Sequence, residues 1–303
     1  MQKLVYIILV NYNCYKDTLE CIESLKNISY RNYKIIIVDN KSTDSSIQEL
    51  SKITNENIIL VKSDKNLGFA GGNNLGIKYA LKDEKTEYIL LLNNDTIVEP
   101  DFLSYLVKTG EKDKKIGLIG CKIKYFTNRD LIWYAGGHIN WFRFKVKHDG
   151  LRKFDSPKYN KEKEISFITG CCVLIKRDVI EKIGLLPEEY FMYFEDVDFC
   201  VKVKDAGFIL FYQPLAVIYH KIGLSSGGEK SSFALEYLAR NKLYFMFKYK
   251  NKVSRISFIF SIFLFFAERL VKIFLLFLKR KKAKVKAIIR GLKEGIFIIK
   301  KVN

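Results

Sequence analysis

The chain has 303 residues, enough for one large domain or two small ones, and its 49% hydrophobic and 14% aromatic content excludes a wholly disordered protein. The formal net charge is +19, but residues 240–303 hold 18 Lys and Arg against 2 Asp and Glu, a net +16. The remainder is nearly neutral, which argues against a protein that binds nucleic acid along its whole surface.

The first third of the chain alternates strand-like and helix-like segments. Short apolar runs predict strands that are buried on both faces, and apolar spacings of three and four residues predict the helices between them. Strict alternation with short connections predicts an α/β fold with a mostly parallel, Rossmann-like sheet flanked by helices. The predicted strands are 4–10, 33–38, 57–61 and 88–92, and the predicted helices are 17–28, 42–53 and 68–82.

Each of these strands ends in polar side chains. Asn11 ends the first, Asp39 the second, Asn66 follows the third, and Asp95 closes the triplet after the fourth. In a parallel sheet these ends lie along one edge, where open α/β sheets bind ligands. A single cluster is equally well explained as an Asx-rich turn. Four clusters on one edge predict a partly acidic cleft for a nucleotide-like ligand.

A glycine-rich stretch, Lys65–Gly76, opens the third predicted helix. It lacks the GK[ST] of a Walker A loop and does not follow the first strand as a dinucleotide-binding fingerprint would. One interpretation is a close backbone approach to a ligand, with Asn73 and Asn74 as donors at a helix amino terminus. The alternative is a tight turn with ordinary capping. Its position on the same edge favours the ligand.

Residues 97–239 carry further candidates. Trp141 lies in an aromatic cluster that either packs or stacks on a sugar ring. Glu195 and Asp196 begin a predicted helix, where carboxylates complement the helix dipole or supply a general base. Arg240 is a candidate diphosphate contact, and residues 221–230 predict a flexible loop able to close over a bound ligand. The other predicted elements are a helix at 97–109, strands at 116–125 and 131–139, a buried strand pair at 165–175 broken at Gly170, and a helix at 177–183.

The end of the chain combines apolar and basic segments. Residues 256–278 are long enough to cross a bilayer, but Glu268, Arg269 and Lys272 interrupt them and disfavour a single span. With the polybasic 279–286, they predict an amphipathic helix on an anionic membrane surface. The alternatives are a helix that packs on the body, a homo-oligomer contact or a basic tail that binds nucleic acid.

Several separated motifs resemble family 2 glycosyltransferases, and more narrowly their rhamnosyltransferase-like and galactofuranosyltransferase-like branch. The resemblance covers roughly residues 3–245. The motifs are ILVNYN (8–13), VDNKSTDSS (38–46), NLGFAGGNN (66–74), LLLNNDT (90–96), the stretch from Thr169 to Phe208, and His220. Their number and order make chance a poor explanation.

The resemblance implies a GT-A (nucleotide-diphospho-sugar transferase) fold, a nucleotide-sugar donor, a divalent metal and inversion at the anomeric carbon. The family's Asp-x-Asp motif reads Asn93-Asn94-Asp95 here, so only Asp95 keeps a carboxylate. The resemblance assigns Mg²⁺ or Mn²⁺ to Asp95, with His220 as a further ligand. It makes Asp196 the general base and Glu195 its support, although these two roles could be exchanged. The residues assigned to the nucleotide sugar are Val10, Asn11, Tyr12, Asp39, Asn66, Gly71, Asn73, Asn74, Asn94 and Arg240.

Together these inferences predict a GT-A domain at 1–250 and a basic amphipathic tail at 251–303. Within the domain, 1–110 would bind the donor and 111–250 would bind the acceptor and hold the base. The predicted function is transfer of a sugar, with rhamnose as one candidate, to a saccharide or lipid-linked acceptor in cell-surface polysaccharide synthesis. The predicted place is the cytoplasm, at the inner face of the cell membrane, with no nucleic-acid partner. The alternatives are a non-catalytic polysaccharide- or membrane-binding protein and a sugar-nucleotide nucleotidyltransferase, although the latter's basic glycine-rich loop after the first strand is missing.

Overall fold

The computed structural model of the protein describes residues 2–221 and 231–302. The predicted closing loop therefore lies, except for Lys221, outside the described residues. The strands are β1 (Leu4–Asn11), β2 (Tyr33–Asp39), β3 (Ile58–Lys62), β4 (Thr86–Leu92), β5 (Thr96–Val98), β6 (Ile116–Tyr125), β7 (Leu131–Tyr134), β8 (Gly137–Asn140), β9 (Lys145–His148), β10 (Lys153–Phe154), β11 (Lys163–Ile165), β12 (Cys172–Lys176) and β13 (Ile209–His220). The helices are α1 (Tyr15–Lys26), α2 (Ser46–Ser51), α3 (Gly68–Ala80), α4 (Phe102–Gly110), α5 (Arg177–Ile183), α6 (Glu195–Asp205), α7 (Ser232–Lys248), α8 (Arg255–Leu278) and α9 (Lys282–Val302).

The predicted parallel sheet is confirmed. Strands β4, β1, β2 and β3 are neighbours in that order, and each pairing is parallel. The register places Asn11 opposite Asp39, and Asp39 opposite Lys62, so these strands end at the same level. Beyond β4 the sheet continues through β12, which is antiparallel to both β4 and β6. The polar ends of the parallel strands therefore share one edge.

The glycines of α3 allow the helix to lie close to the sheet. A Cβ atom on Gly72 would lie 2.9 Å from Cγ1 of Val10, and one on Gly76 would lie 2.6 Å from Cγ2 of Ile8. Only glycine leaves room for the backbones to approach this closely. The close approach that the glycine-rich stretch predicted is therefore, at these two positions, to β1 rather than to a ligand.

The first residue of α3 also lies against the loop that precedes α6. Gly68 has a φ of +69°, and a Cβ atom there would clash with the carbonyl oxygen of Phe191. That oxygen accepts a hydrogen bond from the backbone N–H of Phe69 at 2.7 Å. Phe191 itself has a φ of +63°. A protein carbonyl thus occupies the amino terminus of α3.

Gly68→Ala is expected to destabilise the protein by about 1–3 kcal/mol more than Gly207→Ala. Both glycines have positive φ, +69° and +88°, but nothing lies within 4 Å of a Cβ atom at Gly207. The difference therefore isolates the clash with Phe191 from the backbone strain that both substitutions share. Urea unfolding of the two variants measures this difference in the free energy of unfolding. Equal losses of stability would show that the loop at Phe191 shifts at no cost to accommodate the added methyl group.

The predicted helix at 97–109 begins too early. Residues Thr96–Val98 form β5, in which Val98 pairs with Ile218 of β13, and α4 starts only at Phe102. β-Branched residues suit a strand when a partner strand is present, and Pro100 disfavours a helical residue before it. The partner strand lies more than 100 residues further along the chain, so local spacing could not reveal it.

The described chain forms two compact units. The first comprises the described residues of 1–138, 148–191 and 195–222, and the second those of 139–147, 192–194 and 223–303. This division differs from the predicted boundary at residue 250, because α7 belongs to the second unit and packs on α9.

The contact between α7 and α9 depends on a pair of glycines. A Cβ atom on Gly291 would clash with the carbonyl oxygen of Glu236 in α7, and one on Gly295 would lie in close contact with the carbonyl oxygen of Arg240. The absence of these side chains allows α7 and α9 to lie very close together. No helix of the described residues combines the length and apolarity that a membrane span requires.

Candidate active site

A hydrogen-bond network joins the polar ends of β2, β1 and β4. The side-chain amide of Asn11 donates to Oδ2 of Asp39 at 3.0 Å, and Oδ1 of Asn11 accepts from Oγ1 of Thr18 at 2.9 Å. Asn94 donates to the same Thr18 hydroxyl at 2.8 Å. Oδ1 of Asp39 accepts from the backbone N–H of Ser42 at 3.0 Å. Because all of these groups are bonded inside the protein, the network fixes the shape of the edge.

Two predicted donor-site residues remain accessible on this edge. Tyr12 follows Asn11 and is 38% exposed, and Asn66 lies exposed beyond β3. Oδ1 of Asn66 accepts hydrogen bonds from the side chain of Asn40 at 3.1 Å and from the backbone N–H of Gly68 at 2.9 Å. Asp39 is fully buried between them. The side chains of Tyr12 and Asn66 can therefore contact a ligand, and the buried hydrogen-bond network fixes the edge on which they lie.

The structure brings Asp95 and His220 together. Strand β13 runs antiparallel to β5 with His220 opposite Thr96, which places the imidazole beside the polar end of β4. Oδ1 of Asp95 lies 3.1 Å from Nε2 of His220, and both side chains are 7% exposed. The amide nitrogen of Asn93 lies 3.4 Å from the same Nε2 atom. Two potential metal ligands that are distant in sequence thus face each other at the predicted position.

The Asp95–His220 pair fits a divalent cation that a ligand completes. Oδ1 of Asp95 and Nδ1 of His220 are buried and lack a hydrogen-bond partner among the described residues. Octahedral Mg²⁺ holds its ligands at about 2.0–2.1 Å, so adjacent ligand atoms lie about 3 Å apart. No group of three His, Cys, Asp or Glu that could hold a metal occurs in the described chain. Two protein ligands suit a cation whose other positions are filled by phosphate oxygens and water.

Asp95 carries a negative charge at neutral pH. Burial raises the pKa of its carboxyl group, but the electrostatic interaction with the adjacent His220 and, more weakly, the positive charge of Lys221 lower it by more, so the net pKa lies below the ordinary value. A direct contact between the Asp95 and His220 side chains, with no metal between them, is the alternative explanation of this geometry. A metal site formed by Asp95 and His220 would make activity depend on a divalent cation, whereas a direct contact between the two side chains would not.

Asp196 lies at the same end of the sheet. Its Oδ2 accepts a hydrogen bond from the backbone N–H of Gly170 at 3.0 Å. The carbonyl of the next residue, Cys171, accepts one from the backbone N–H of Asn93 at 2.8 Å. The start of β12 therefore connects the carboxylate of Asp196 to the triplet that contains Asp95. A Cβ atom on Gly170 would lie 2.7 Å from the ring of Phe69, so glycine is required at this junction.

The two carboxyl groups at the start of α6 differ in their environments. Asp196 is partly accessible, and burial raises its pKa to about 6, although the backbone N–H groups of Gly170 and Val197 lower it. Glu195 is buried, and burial together with the charge of Asp196 raises its pKa well above the ordinary value. The pKa of Glu195 is therefore raised further than that of Asp196, so Asp196 is the carboxyl group of this pair that ionises at the lower pH. The third carboxylate, Asp198, accepts a hydrogen bond from the Tyr190 hydroxyl at 2.8 Å in the interior.

Three other predicted donor-site residues have structural contacts. The side chain of Asn74 donates to the carbonyl of Leu186 at 2.8 Å and accepts from the backbone N–H of Leu186 at 3.0 Å. Asn73 is buried and donates to a backbone carbonyl within α3 at 2.9 Å. A Cβ atom on Gly71 would lie 2.7 Å from that of Leu67. The prediction that Asn73 and Asn74 act as free donors to a ligand does not fit these contacts.

Arg240 and Trp141 belong to the second unit. The guanidinium of Arg240 lies 3.9 Å from Glu294 of α9 and over the ring of Tyr237, with 5.3 Å to its centroid. The indole of Trp141 stacks on the ring of Phe245 at 6.0 Å. Packing therefore accounts for both side chains within their own unit.

Sequence reasoning missed two side chains at the edge. The Trp133 indole lies edge-on to the His220 ring, with 4.9 Å between centroids, and fixes one side of the imidazole. Thr18 links Asn11 to Asn94 from the first turn of α1. No spacing signal in the sequence distinguishes Trp133 from the neighbouring aromatic residues. The position of Thr18 seven residues after Asn11, one helical turn into α1, is a signal that could have found it.

Comparison with known proteins agrees with the resemblance. The sequence model of glycosyl transferase family 2 matches residues 6–184, more than half of the chain. The chain belongs to glycosyl transferase family 2. The match contains the edge network and Asp95, whereas Asp196 and His220 lie beyond it.

Named relatives of this family 2 chain include sugar transferases. The low-salt glycan biosynthesis hexosyltransferase Agl10 of Haloferax volcanii is 28% identical over 198 residues, 65% of this chain and 61% of that protein. An N-acetylglucosaminyl-diphospho-decaprenol L-rhamnosyltransferase of Mycobacterium tuberculosis is 23% identical over 248 residues, 77% of this chain and 80% of that protein. The chain thus spans less than two thirds of the first relative's length.

A solved structure shares the fold. The crystal structure of GalNAc-T7 with UDP, GalNAc and Mn²⁺ superposes with a TM-score of 0.62 at 19% identity, over 80% of this chain and 49% of that one. The family 2 chain therefore has the GT-A fold that the resemblance implied.

Proposed function

We propose that this protein is an inverting glycosyltransferase that transfers a sugar from a nucleotide-diphosphate donor to a saccharide or lipid-linked acceptor. One observation carries the proposal: the Asp95–His220 pair and the carboxylate of Asp196 come together where β4 ends and β12 begins. A site that grips a leaving diphosphate and a base that activates a hydroxyl are the two parts that glycosyl transfer needs. Membership of family 2 supports the reaction class.

On the donor side, Asp95 and His220 would hold Mg²⁺ or Mn²⁺, a cation that supplies positive charge to the leaving nucleoside diphosphate. The structural relative GalNAc-T7 was crystallised with UDP and Mn²⁺. Tyr12 and Asn66 are proposed to contact the nucleoside, because they stay accessible beside the buried Asp39. The network of Asn11 and its neighbours keeps this surface in place.

On the acceptor side, Asp196 is proposed to remove the proton of the attacking hydroxyl group. Its two carboxylate oxygens are oriented by the N–H groups of Gly170 and Val197, at 3.0 and 2.8 Å. Because the pKa of Glu195 is raised further than that of Asp196, Asp196 is the group of the pair that ionises first. A single displacement by the activated hydroxyl inverts the anomeric carbon, and a base with a pKa near the working pH suits this proton transfer.

The transfer rate is expected to depend on pH through Asp196. Burial raises the pKa of this carboxyl group to about 6, so it is ionised above that pH and protonated below it. Since the base acts only when ionised, kcat/KM should be level near pH 7.5 and fall about tenfold for each pH unit below 6. Initial rates between pH 4.5 and 8 at saturating metal measure the profile. A rate that stays constant down to pH 4.5 would contradict the assignment.

The donor sugar is the first point to test, and rhamnose is the leading candidate because a relative is a rhamnosyltransferase. A panel of sugar nucleotides can be screened for thermal stabilisation with Mn²⁺ or Mg²⁺. A ligand at 100 times its Kd stabilises a protein by about 2.7 kcal/mol, which such a screen detects. Metal-dependent turnover of one donor would support the enzyme. Stabilisation without turnover of any donor would favour a non-catalytic binding protein.

The proposed place of action is the inner face of the cell membrane, within cell-surface polysaccharide synthesis. The relative from M. tuberculosis is an N-acetylglucosaminyl-diphospho-decaprenol L-rhamnosyltransferase, so its acceptor carries a lipid. The basic residues of 240–303 supply the charge that an anionic membrane surface attracts.

A further inference from the structure

Helix α8 exposes a continuous apolar face. The exposed side chains recur at intervals of three, four and seven residues, which places them on one side of the helix. They include Ile256, Phe260, Phe263, Leu270, Phe274 and Leu278. Ile256 is 82% exposed and Phe263 is 66% exposed. The helix has 24 residues, so the face extends over about 36 Å at 1.5 Å per residue.

The three charged residues in the middle of α8 are Glu268, Arg269 and Lys272. Lys272 is exposed, but it is two residues from both Leu270 and Phe274, which places it about 200° around the helix from them. Ser261 and Phe265 are buried in the second unit. Glu268 pairs with the guanidinium of Arg143, and the guanidinium of Arg269 lies over the Phe265 ring at 4.8 Å. These charges therefore do not interrupt the exposed face, although in the sequence they stand in the middle of the apolar segment.

Basic side chains stand at both ends of this face. Lys250, Lys252 and Arg255 are exposed before it, and the run from Lys279 to Lys282 is exposed after it. Residues 240–303 contain two acidic residues, of which Glu268 pairs with Arg143 and Glu294 lies near Arg240. Each end of the apolar face thus presents positive charge to whatever covers it.

The charges decide between two kinds of occupant. If a second copy of the chain covered the face, like charges would meet in either orientation of the two helices, because both ends are basic. A bilayer with anionic headgroups matches both features, since its acyl chains receive the apolar side chains and its phosphates receive the lysines and arginines.

We propose that the exposed face of α8 lies in the surface of an anionic lipid bilayer, with the helix parallel to the membrane plane. The apolar side chains would enter the boundary between headgroups and acyl chains, and the two basic ends would rest on lipid phosphates. This inference deepens the proposed function by naming the membrane-binding surface. It rests on the proposed function only for the identity of the cellular membrane that is bound.

Vesicle flotation of the full chain tests the surface. Wild-type protein is expected to bind vesicles of phosphatidylcholine and phosphatidylglycerol in equal parts, and to bind pure phosphatidylcholine more weakly. The double variant Phe263→Glu, Phe274→Glu should lose at least about 100-fold in vesicle partitioning, because two inserted rings are replaced by charges. Its thermal unfolding temperature and its donor-induced stabilisation should stay close to wild type, because neither side chain belongs to the proposed active site.

Phe154→Glu is the matched control. This phenylalanine is 69% exposed on β10, in the first unit, so the substitution adds one glutamate at a comparably exposed ring that is not part of α8. It should weaken partitioning by less than about fivefold, the effect of one added charge near the surface.

Equal vesicle binding by wild type and the double variant would overturn the proposal. A second result would also overturn it: the wild type sediments as a dimer, the double variant sediments as a monomer, and both bind vesicles equally. The exposed face of α8 would then be an interface between copies of the chain. Vesicle binding without turnover of any donor would overturn the proposed enzyme while leaving this surface intact.

Discussion

Asp95→Asn is expected to lower kcat by roughly 10²–10⁴-fold, because a bound metal supplies several kcal/mol to the charge that develops on the leaving group. The substitution keeps the shape of the side chain and removes the only carboxylate of the Asn93-Asn94-Asp95 triplet. His220→Ala should instead raise the Mn²⁺ concentration that gives half-maximal rate by about tenfold or more, since one of the two proposed protein ligands is lost. Initial rates over a Mn²⁺ titration measure both effects.

His138→Ala is the control for the histidine. Its imidazole is 48% exposed and lies 3.0 Å from Asp149 rather than beside Asp95, so the Mn²⁺ dependence should match wild type. Chelation by EDTA should abolish turnover by the wild-type protein, and added Mn²⁺ should restore it. Full activity in EDTA would show that Asp95 and His220 form only an ion pair.

Asp196→Asn and Glu195→Gln are expected to differ sharply in their effects. Removal of the base should lower kcat by about 10²–10⁴-fold while donor affinity is unchanged. Because burial and the charge of Asp196 raise the pKa of Glu195 well above the ordinary value and so favour its neutral form, the isosteric Gln should cost less than about tenfold. Single-turnover rates and donor-induced thermal shifts separate the catalytic step from binding.

The pair of variants also decides which carboxyl group acts. If Glu195→Gln were the more damaging change, the two roles would be exchanged. Asp178→Asn serves as the control, because this aspartate stands exposed in the first turn of α5. The control variant should keep the wild-type rate and pH profile. The residual activity of Asp196→Asn should no longer decrease as the pH falls below 6.

The parallel half of the fold could be predicted because its signals are local. Apolar runs such as Ile7–Leu9 are fully buried in the sheet, and Asn11 and Asp39 mark where neighbouring strands end. The antiparallel additions left no comparable signal. Strand β5 is a strand because β13 pairs with it, and its three residues otherwise resemble the start of a helix.

Local patterns were misleading where a residue's partner is distant in sequence. The glycines and asparagines of α3 resemble a ligand-binding loop, yet Gly72 and Gly76 accommodate β1 and Asn74 bonds to Leu186. The charges of α8 resemble interruptions of an apolar segment, yet Glu268 pairs with Arg143. In each case the contact, and not the composition, determines what the residue does.

The sequence by itself determined the alternation of strands and helices, the polar edge of the sheet and the membership of the family, because short contiguous sequence patterns indicate each of these features. Only the tertiary structure decided the geometry of the site. Sheet pairing brings His220 to 3.1 Å from Asp95, and the start of β12 holds Asp196 through Gly170. These distances arise from contacts between segments tens to more than 100 residues apart. The burial and the neighbouring groups that shift the pKa values of the carboxyl groups exist only after those segments pack.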